Sequence, residues 1–397
     1  MTPLFLTAAT MVSAIGRGNE ATLRALDRRE GGLRPCDFGG IEQGHIGRVE
    51  GLDTHVMPAG LERFDCRNNR LADMALGTDG FSEAVGDARA RYGPERIAVI
   101  IGTSTSGVLS YEEAYRDRDE QGDLPPSFDH EHTQDVFSAA RYVRSALDLS
   151  GPTFAVSTAC ASSSKSLIDA HHLMAAGLCD AAVVGGVDTL CRLTLRGFAS
   201  LDLISDQPCR PCDVNRSGIS IGEGAGLALI ERRPRPTRTD ERPVALLGYG
   251  ATSDGYHISS PHPEGTGAIA AMRQALARAG LRPGQVDYVN LHGTGTRAND
   301  AMEDLAVAEV FGTDTPCSSS KGWMGHTLGA AGIMGALITR LAILHDLVPG
   351  SLSVAEVDPS FRSRVVVDNA ERRVRRSLSN AFGFGGINCS LLLGDPG

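Results

Sequence analysis

Aromatic residues are scarce, at 5% of the 397 residues, whereas glycine reaches 47. That balance favours tight turns and close approach of backbone to ligand over aromatic packing. A basic excess is also lacking. Lys and Arg total 38 against 48 Asp and Glu, a net charge of -10. This excludes a general nucleic-acid binder, which needs a large basic surface, and leaves open a local basic patch for an acidic protein partner. No uninterrupted apolar run of about 18 residues exists, so no membrane span is read. The apolar start, MTPLFLTAATMVSAI (1–15), lacks a basic opening and a cleavage site. It reads as a first buried strand rather than a signal peptide. Low-complexity tracts are missing, and so is any internal period of about 20–50 residues.

Cysteine is present nine times, an odd count in a long chain. That points to a reduced, cytoplasmic protein rather than a disulfide framework. Cys209 and Cys212 form a lone Cys-x-x-Cys with no second pair at zinc spacing, so the stretch reads as an ordinary loop and no metal is expected. A 42% hydrophobic share with 22% charge supplies ample core. At ~150 residues per domain, the length allows two or three domains or one large fused unit. One break is evident, the polar, proline-interrupted stretch 231–243 (ERRPRPTRTDERP). It is expected to join two halves, residues 1–236 and 237–397.

Strands are expected at 96–101, 153–157, 181–184, 288–291 and 390–393. Gly102–Gly107 and Gly185-Gly186 follow as strand-end loops. Helices are expected at 162–176, 267–279, 301–310 and 330–345. Ile269, Met272 and Leu276 show helical spacing. The alternation gives an α/β protein built of βαβ units, with functional loops just beyond strand ends.

The densest chemical signal is VSTACASSSK (156–165), between a strand and a helix. A cysteine at a helix N-terminus faces free N–H groups and the positive dipole end, both of which stabilise thiolate. The small residues around Cys160 leave room for a bulky acyl group. The competing reading is a buried structural cysteine. Partners for a nucleophile are on offer. His292 lies in NLHGTGT (290–296), after a strand. Lys321 and His326 lie in SSSKGWMGH (318–326), before a Gly/Ala-rich helix. Asp300 and Glu303 open the helix after His292, either as favourable charge on its first turn or as holders of a cation such as Lys321. The glycine-rich turn in NAFGFGGIN (380–388) can present a backbone N–H to a developing oxyanion.

Taken together, these segments resemble the elongating β-ketoacyl-acyl-carrier-protein synthases, condensing enzymes of the thiolase fold. The Cys160 segment, HGTGT (292–296), KGWMGH (321–326) with LGAAG after it, and GFGG (383–386) stand in that family's order and spacing. NRSGISIGEGAG (215–226) and DGYHISSP (254–261) add to the match. The resemblance implies a duplicated five-layer α-β-α-β-α core and usually a homodimer. It implies that an acyl group moves from carrier-protein phosphopantetheine to Cys160. Malonyl-carrier protein then loses CO₂, and its carbanion attacks the acyl-enzyme. No cofactor or metal is implied, because decarboxylation itself generates the carbanion.

By the same resemblance, the N–H groups of Cys160 and Phe384 form an oxyanion hole, and His292 and His326 donate to the malonyl thioester oxygen. Lys321, braced by Asp300 or Glu303, sets the state of its neighbour His326. Thr294, Thr296 and Ser259 match the phosphopantetheine route. Thr105 and Phe198 match the acyl pocket, Phe384 its gate, and Arg67 and Arg70 basic positions that dock the carrier protein. Three positions depart from the pattern: Gly335 stands where Glu is common, Ile387 where Thr is common, and Asp202 where an Arg contacts the carrier. They hint at a specialised polyketide or polyene pathway rather than housekeeping fatty-acid synthesis. Two rivals remain: a thiolase using Cys389 as second cysteine, and a chain-length factor. Such factors typically lack the nucleophile, and pairing of an active subunit with one stays open.

Overall fold

A computed structural model describes residues 1–233 and 242–396. Most of the 231–243 break, and with it the 236/237 boundary, lies outside the described residues. The apolar start forms β1 (Leu4–Ser13). The first half continues with β2 (Ile97–Gly102), β3 (Thr153–Val156), β4 (Ala181–Asp188) and β5 (Gly224–Glu231). The second half holds β6 (Ala245–Ser253), β7 (Tyr288–Asn290), β8 (Pro316–Ser318), β9 (Arg364–Val365), β10 (Arg376–Gly383) and β11 (Ile387–Gly394). The runs IAVIIG and AAVVGGVD are buried throughout, as strands covered on both faces must be.

Strand order exposes a duplication. The first half runs β3-β2-β4-β5-β1, and the second runs β8-β7-β10-β11-β6 with β9 on its outer edge. In each, the first two pairings are parallel and the next two antiparallel. β1 links the halves, where Leu4 and Phe5 pair with Leu246 and Ala245 of β6.

Helices complete five layers. α1 (Arg67–Leu76), α2 (Phe81–Tyr92) and α3 (Ser138–Ala146) cover the outer face of the first half. α5 (Thr266–Ala279) and α6 (Arg297–Phe311) cover that of the second. Between the two halves lie α4 (Ser162–Ala175) and α7 (Ala331–His345), each following the third strand of its half. The stretch Leu328–His345 is long and apolar enough to cross a membrane, at a mean hydropathy of 1.6, but 78% of it is buried inside the protein. A helix with sheet on both sides is apolar nearly all round.

The central helices pack closely, and this revises two expectations. Gly185-Gly186 is not a loop after β4 but part of it. A Cβ on Gly186 would stand 2.6 Å from the Cβ of Ser163, so the strand needs glycine there to admit α4. The serines after Cys160 make close packing rather than acyl space: Ser163 Oγ accepts the N–H of Ile333 at 2.9 Å, and a Cβ on Gly332 would collide with Ser164.

Candidate active site

Because α4 and α7 begin at the same end of the sandwich, their leading loops meet. Cys160 sits between β3 and α4, buried, after Ala159, which is held at φ 49. A non-glycine residue in the left-handed region marks a constrained turn. His326 precedes α7, and its Nε2 stands 3.0 Å from the Cys160 Sγ. His292 follows β7, with its ring centroid 5.4 Å from that of His326 and nearly perpendicular to it. The sulfur and the two imidazoles offer atoms all within 4.8 Å of one another.

The buried setting dictates the charge states. Burial, aided by the Lys321 charge, holds His326 well below the ordinary histidine value. Burial, Lys321 and His326 do the same to His292. Both rings are therefore neutral. Burial also pushes the Cys160 thiol up to about 11, against the opposing pull of Lys321 and of the N–H groups of Phe384 and Cys160. Desolvation therefore outweighs the groups that favour thiolate in the resting site. The N–H groups of Phe384 and of Cys160 itself both act on the sulfur, so they lie near where the oxygen of an acyl group bonded to it would be. Phe384 is carried there by the tight β10–β11 turn, where Gly385 and Gly386 take φ 83 and 76.

Lys321 acts on His326 through its charge, as expected, but makes its hydrogen bonds with the other histidine. Its Nζ donates to the His292 carbonyl and lies 3.4 Å from His292 Nδ1. Among the described residues no salt bridge joins it to Asp300 or Glu303. Those acids instead hold the loop. Glu303 accepts the N–H groups of His292 and Gly293 at 2.8 and 2.7 Å, and Asp300 accepts that of Thr294 at 2.9 Å. Burial pushes Glu303 up to about 7, against those donors.

One cavity of about 510 Å³ gathers Cys160, Phe198, Ser259, His292, Thr294, Thr296, His326 and Phe384. The rings of Phe198 and Phe384 stand 5.6 Å apart across it. Thr105 does not line this cavity; it is buried and its hydroxyl donates to Asp188 at 2.7 Å. Arg67 is also misplaced as a docking residue. It is buried and gives Nε and Nη2 to Glu223 at 2.8 and 2.7 Å while pairing with Asp53. Arg70 is engaged by Asp65 at 2.5 and 2.8 Å.

Asp188 is the residue that sequence reasoning missed. Fully buried at the end of β4, it accepts from the Thr103 hydroxyl, from the N–H groups of Ser104 and Thr105, and from Gly329 N–H. It thereby ties the loop after β2 to the turn after His326. Its place at a strand end was the available signal. Cys389 lies in the core on β11, outside the cavity lining.

The chain matches the model of the β-ketoacyl synthase N-terminal domain over residues 58–235 and that of the β-ketoacyl synthase C-terminal domain over 244–355. It is 38% identical over 273 residues to a mitochondrial 3-oxoacyl-[acyl-carrier-protein] synthase of Arabidopsis thaliana, a match covering 65% of this chain and 59% of that protein. It is 30% identical over 416 residues to 3-oxoacyl-[acyl-carrier-protein] synthase 2 of Mycobacterium tuberculosis, covering 98% and 96%. The fold matches a ketosynthase (ApeO) solved in complex with its chain length factor (ApeC) from Xenorhabdus doucetiae, with a TM-score of 0.90, 37% identity, and coverage of 99% and 98%. The chain therefore belongs to the β-ketoacyl synthase family, with the thiolase-like α/β fold.

Proposed function

We propose that this chain is a β-ketoacyl-acyl-carrier-protein synthase. In the first step the Cys160 Sγ bonds to the acyl carbonyl carbon, the donor C–S bond breaks, and the departing pantetheine thiol takes the proton that Cys160 loses. In the second, malonyl thioester loses CO₂, and the electron pair left behind forms a carbon–carbon bond to the acyl group. Cys160 leaves as the sulfur group and regains a proton. Splitting the condensation this way suits a thioester, whose thiolate leaves readily. His292 and His326 donate to the malonyl thioester oxygen as it gains charge, and the N–H groups of Cys160 and Phe384 serve the acyl oxygen. Electrons come from the substrate's own carboxylate, so the reading calls on no cofactor beyond the phosphopantetheine that carries the substrates.

The observation that supports this most directly is the convergence of Cys160, His326 and His292 at the floor of one cavity. The partner is an acyl carrier protein, in the cytoplasm. A second reading is favoured by the likeness to a ketosynthase solved with its chain length factor: this chain pairs with such a subunit instead of with itself. The departures at Gly335, Ile387 and Asp202 fit a polyketide or polyene pathway. The test is incubation with a panel of acyl-carrier proteins and malonyl-carrier protein, read by intact-protein mass. An acyl adduct on Cys160 followed by a β-ketoacyl product two carbons longer is expected. No adduct from any donor, alone or with candidate partner subunits, overturns the reading.

A further inference from the structure

The wall of the cavity that carries His292 climbs to the surface over six residues, 292–297. His292 and Thr294 are buried at 3% and 6% exposure, Thr296 is half-buried, and Arg297 is exposed. All four line the same cavity. Thr294 and Thr296 are linked hydroxyl to hydroxyl at 2.9 Å, so the wall presents a polar rail from the reacting end to the mouth. Arg297 is the one Arg or Lys among the described residues lining that cavity. Facing it from the other lining segments are two acids, Asp202 and Asp254. Asp254 is already occupied, accepting the His262 N–H and the Asn388 amide. No described carboxylate forms an ion pair with Arg297. The cations expected to meet a carrier protein are elsewhere committed, Arg67 to Glu223 and Asp53 and Arg70 to Asp65.

From this placement we infer that Arg297 binds the phosphate group at the outer end of the pantetheine arm. The inference deepens the proposed function and rests on it. A thioester held at Cys160 at the inner end leaves the phosphate of the same arm at the mouth, where it needs a cation. A guanidinium answers it with paired, charge-assisted hydrogen bonds. Arg297 is a binding residue in this scheme and takes no part in bond making.

The test compares three acyl donors on the full chain: acyl-pantetheine without phosphate, acyl-phosphopantetheine, and acyl-carrier protein. Cys160 acylation is followed by intact mass. In the wild type, the phosphorylated small donor is expected to show the higher kcat/KM. Arg297→Ala should reduce the phosphorylated-to-unphosphorylated ratio about tenfold, a charge-assisted hydrogen bond's worth, and Arg297→Lys should restore part of it. The acyl-carrier protein should lose as much as acyl-phosphopantetheine. A ratio that survives in Arg297→Ala overturns the inference. A loss confined to the carrier protein overturns it too, because Arg297 would then contact the protein and not the phosphate. Failure of all three donors to acylate the wild type strikes instead at the proposed function.

Discussion

His326 Nε2 stands 3.0 Å from Cys160 Sγ, and the other nitrogen of the same ring accepts the Leu328 N–H at 3.2 Å. A neutral imidazole that accepts at Nδ1 carries its proton on Nε2. His326 therefore points an N–H at the sulfur. In the proposed mechanism it then serves as a hydrogen-bond donor, to the thiolate when it forms and to substrate oxygen afterwards, rather than as a base waiting for the thiol proton. Lys321 gives His292 the same tautomer by donating toward its Nδ1. Both rings thus carry their N–H on Nε2, and the two imidazoles and the sulfur offer atoms within 4.8 Å of one another.

Removing one such donor typically costs about 10²–10³ in rate. His326→Ala and His292→Ala should each lose that much in malonyl decarboxylation. His326→Gln, whose amide keeps an N–H, should recover part. Assay of CO₂ release from malonyl-carrier protein decides. A glutamine variant no better than alanine would show that the ring acts as a base after all.

Cys160→Ala should abolish acyl transfer, since no other thiol among the described residues lines the cavity. Cys160→Gln should do the same yet keep or raise malonyl decarboxylation. Its side-chain carbonyl can occupy the N–H groups of Phe384 and Cys160 as the acyl oxygen would. Intact-mass acylation and CO₂ release, measured on both variants, separate the two steps. Elongation at wild-type rate by the alanine variant would remove Cys160 as nucleophile.

Lys321 lowers both histidines by its charge as well as orienting His292. In the wild type, with both held well below the ordinary value near 6.5, decarboxylation should show no acid limb near pH 6.5. Lys321→Ala removes the positive neighbour, so both imidazoles protonate more readily and an acid limb should move up toward that value. The pH profile of the residual activity measures it. A profile of unchanged shape would leave burial as the whole cause.

The sequence carried the reacting groups further than it carried their supports. Cys160, His292 and His326 were legible because each follows a readable strand or precedes a readable helix among small residues. Helices 162–176, 267–279 and 330–345 each fell within a residue or so of α4, α5 and α7. Helix 301–310 began four residues late, because Thr296, not a residue nearer 301, caps α6 by accepting the Asn299 N–H. The pairings of charge were not legible. Lys321 is adjacent in sequence to the His326 loop but reaches His292 at the end of the neighbouring strand, 29 positions away, and Arg67 is consumed by Glu223, which lies 156 positions away. Long-range pairing depends on which loops the duplicated sheet stacks at one end, and no local spacing records it.

Glu303 gives a linkage with a definite sign. Its folded value, raised to about 7, exceeds its unfolded value near 4.5. The folded state then binds the proton first, so this group's contribution rises as pH falls through about 7 and is complete below about 4.5. His292 and His326 act oppositely, because the unfolded chain takes protons near 6.5 that the folded chain refuses. Glu303→Gln deletes the first effect and keeps the second. Its urea midpoint should fall more steeply than that of the wild type between pH 7 and 5. Parallel curves would mean that the carboxyl stays ionised against the His292 and Gly293 N–H groups.

Gly335 shows why one departure from the family pattern is enforced by packing. It lies on α7, nine residues after His326, where a glutamate is common in the family that the sequence resembles. Here a Cβ alone would stand 2.7 Å from Ser379 Oγ and 2.8 Å from Asn290 Oδ1. Asn290 is fixed on β7, where its amide donates to the Tyr288 hydroxyl at 3.1 Å, so it cannot simply swing aside. Overpacking of this kind costs about 1–3 kcal/mol. Gly335→Ala should therefore lower the melting temperature, even though alanine favours helix, and Gly335→Glu should lower it further by adding a buried carboxyl without room for its partners. Gly335→Ala combined with Ser379→Ala, which clears the nearer contact, should regain part of the loss. If the single alanine variant proves as stable as the wild type, the glycine is not required by packing, and the missing glutamate must be explained by the chemistry of the site instead.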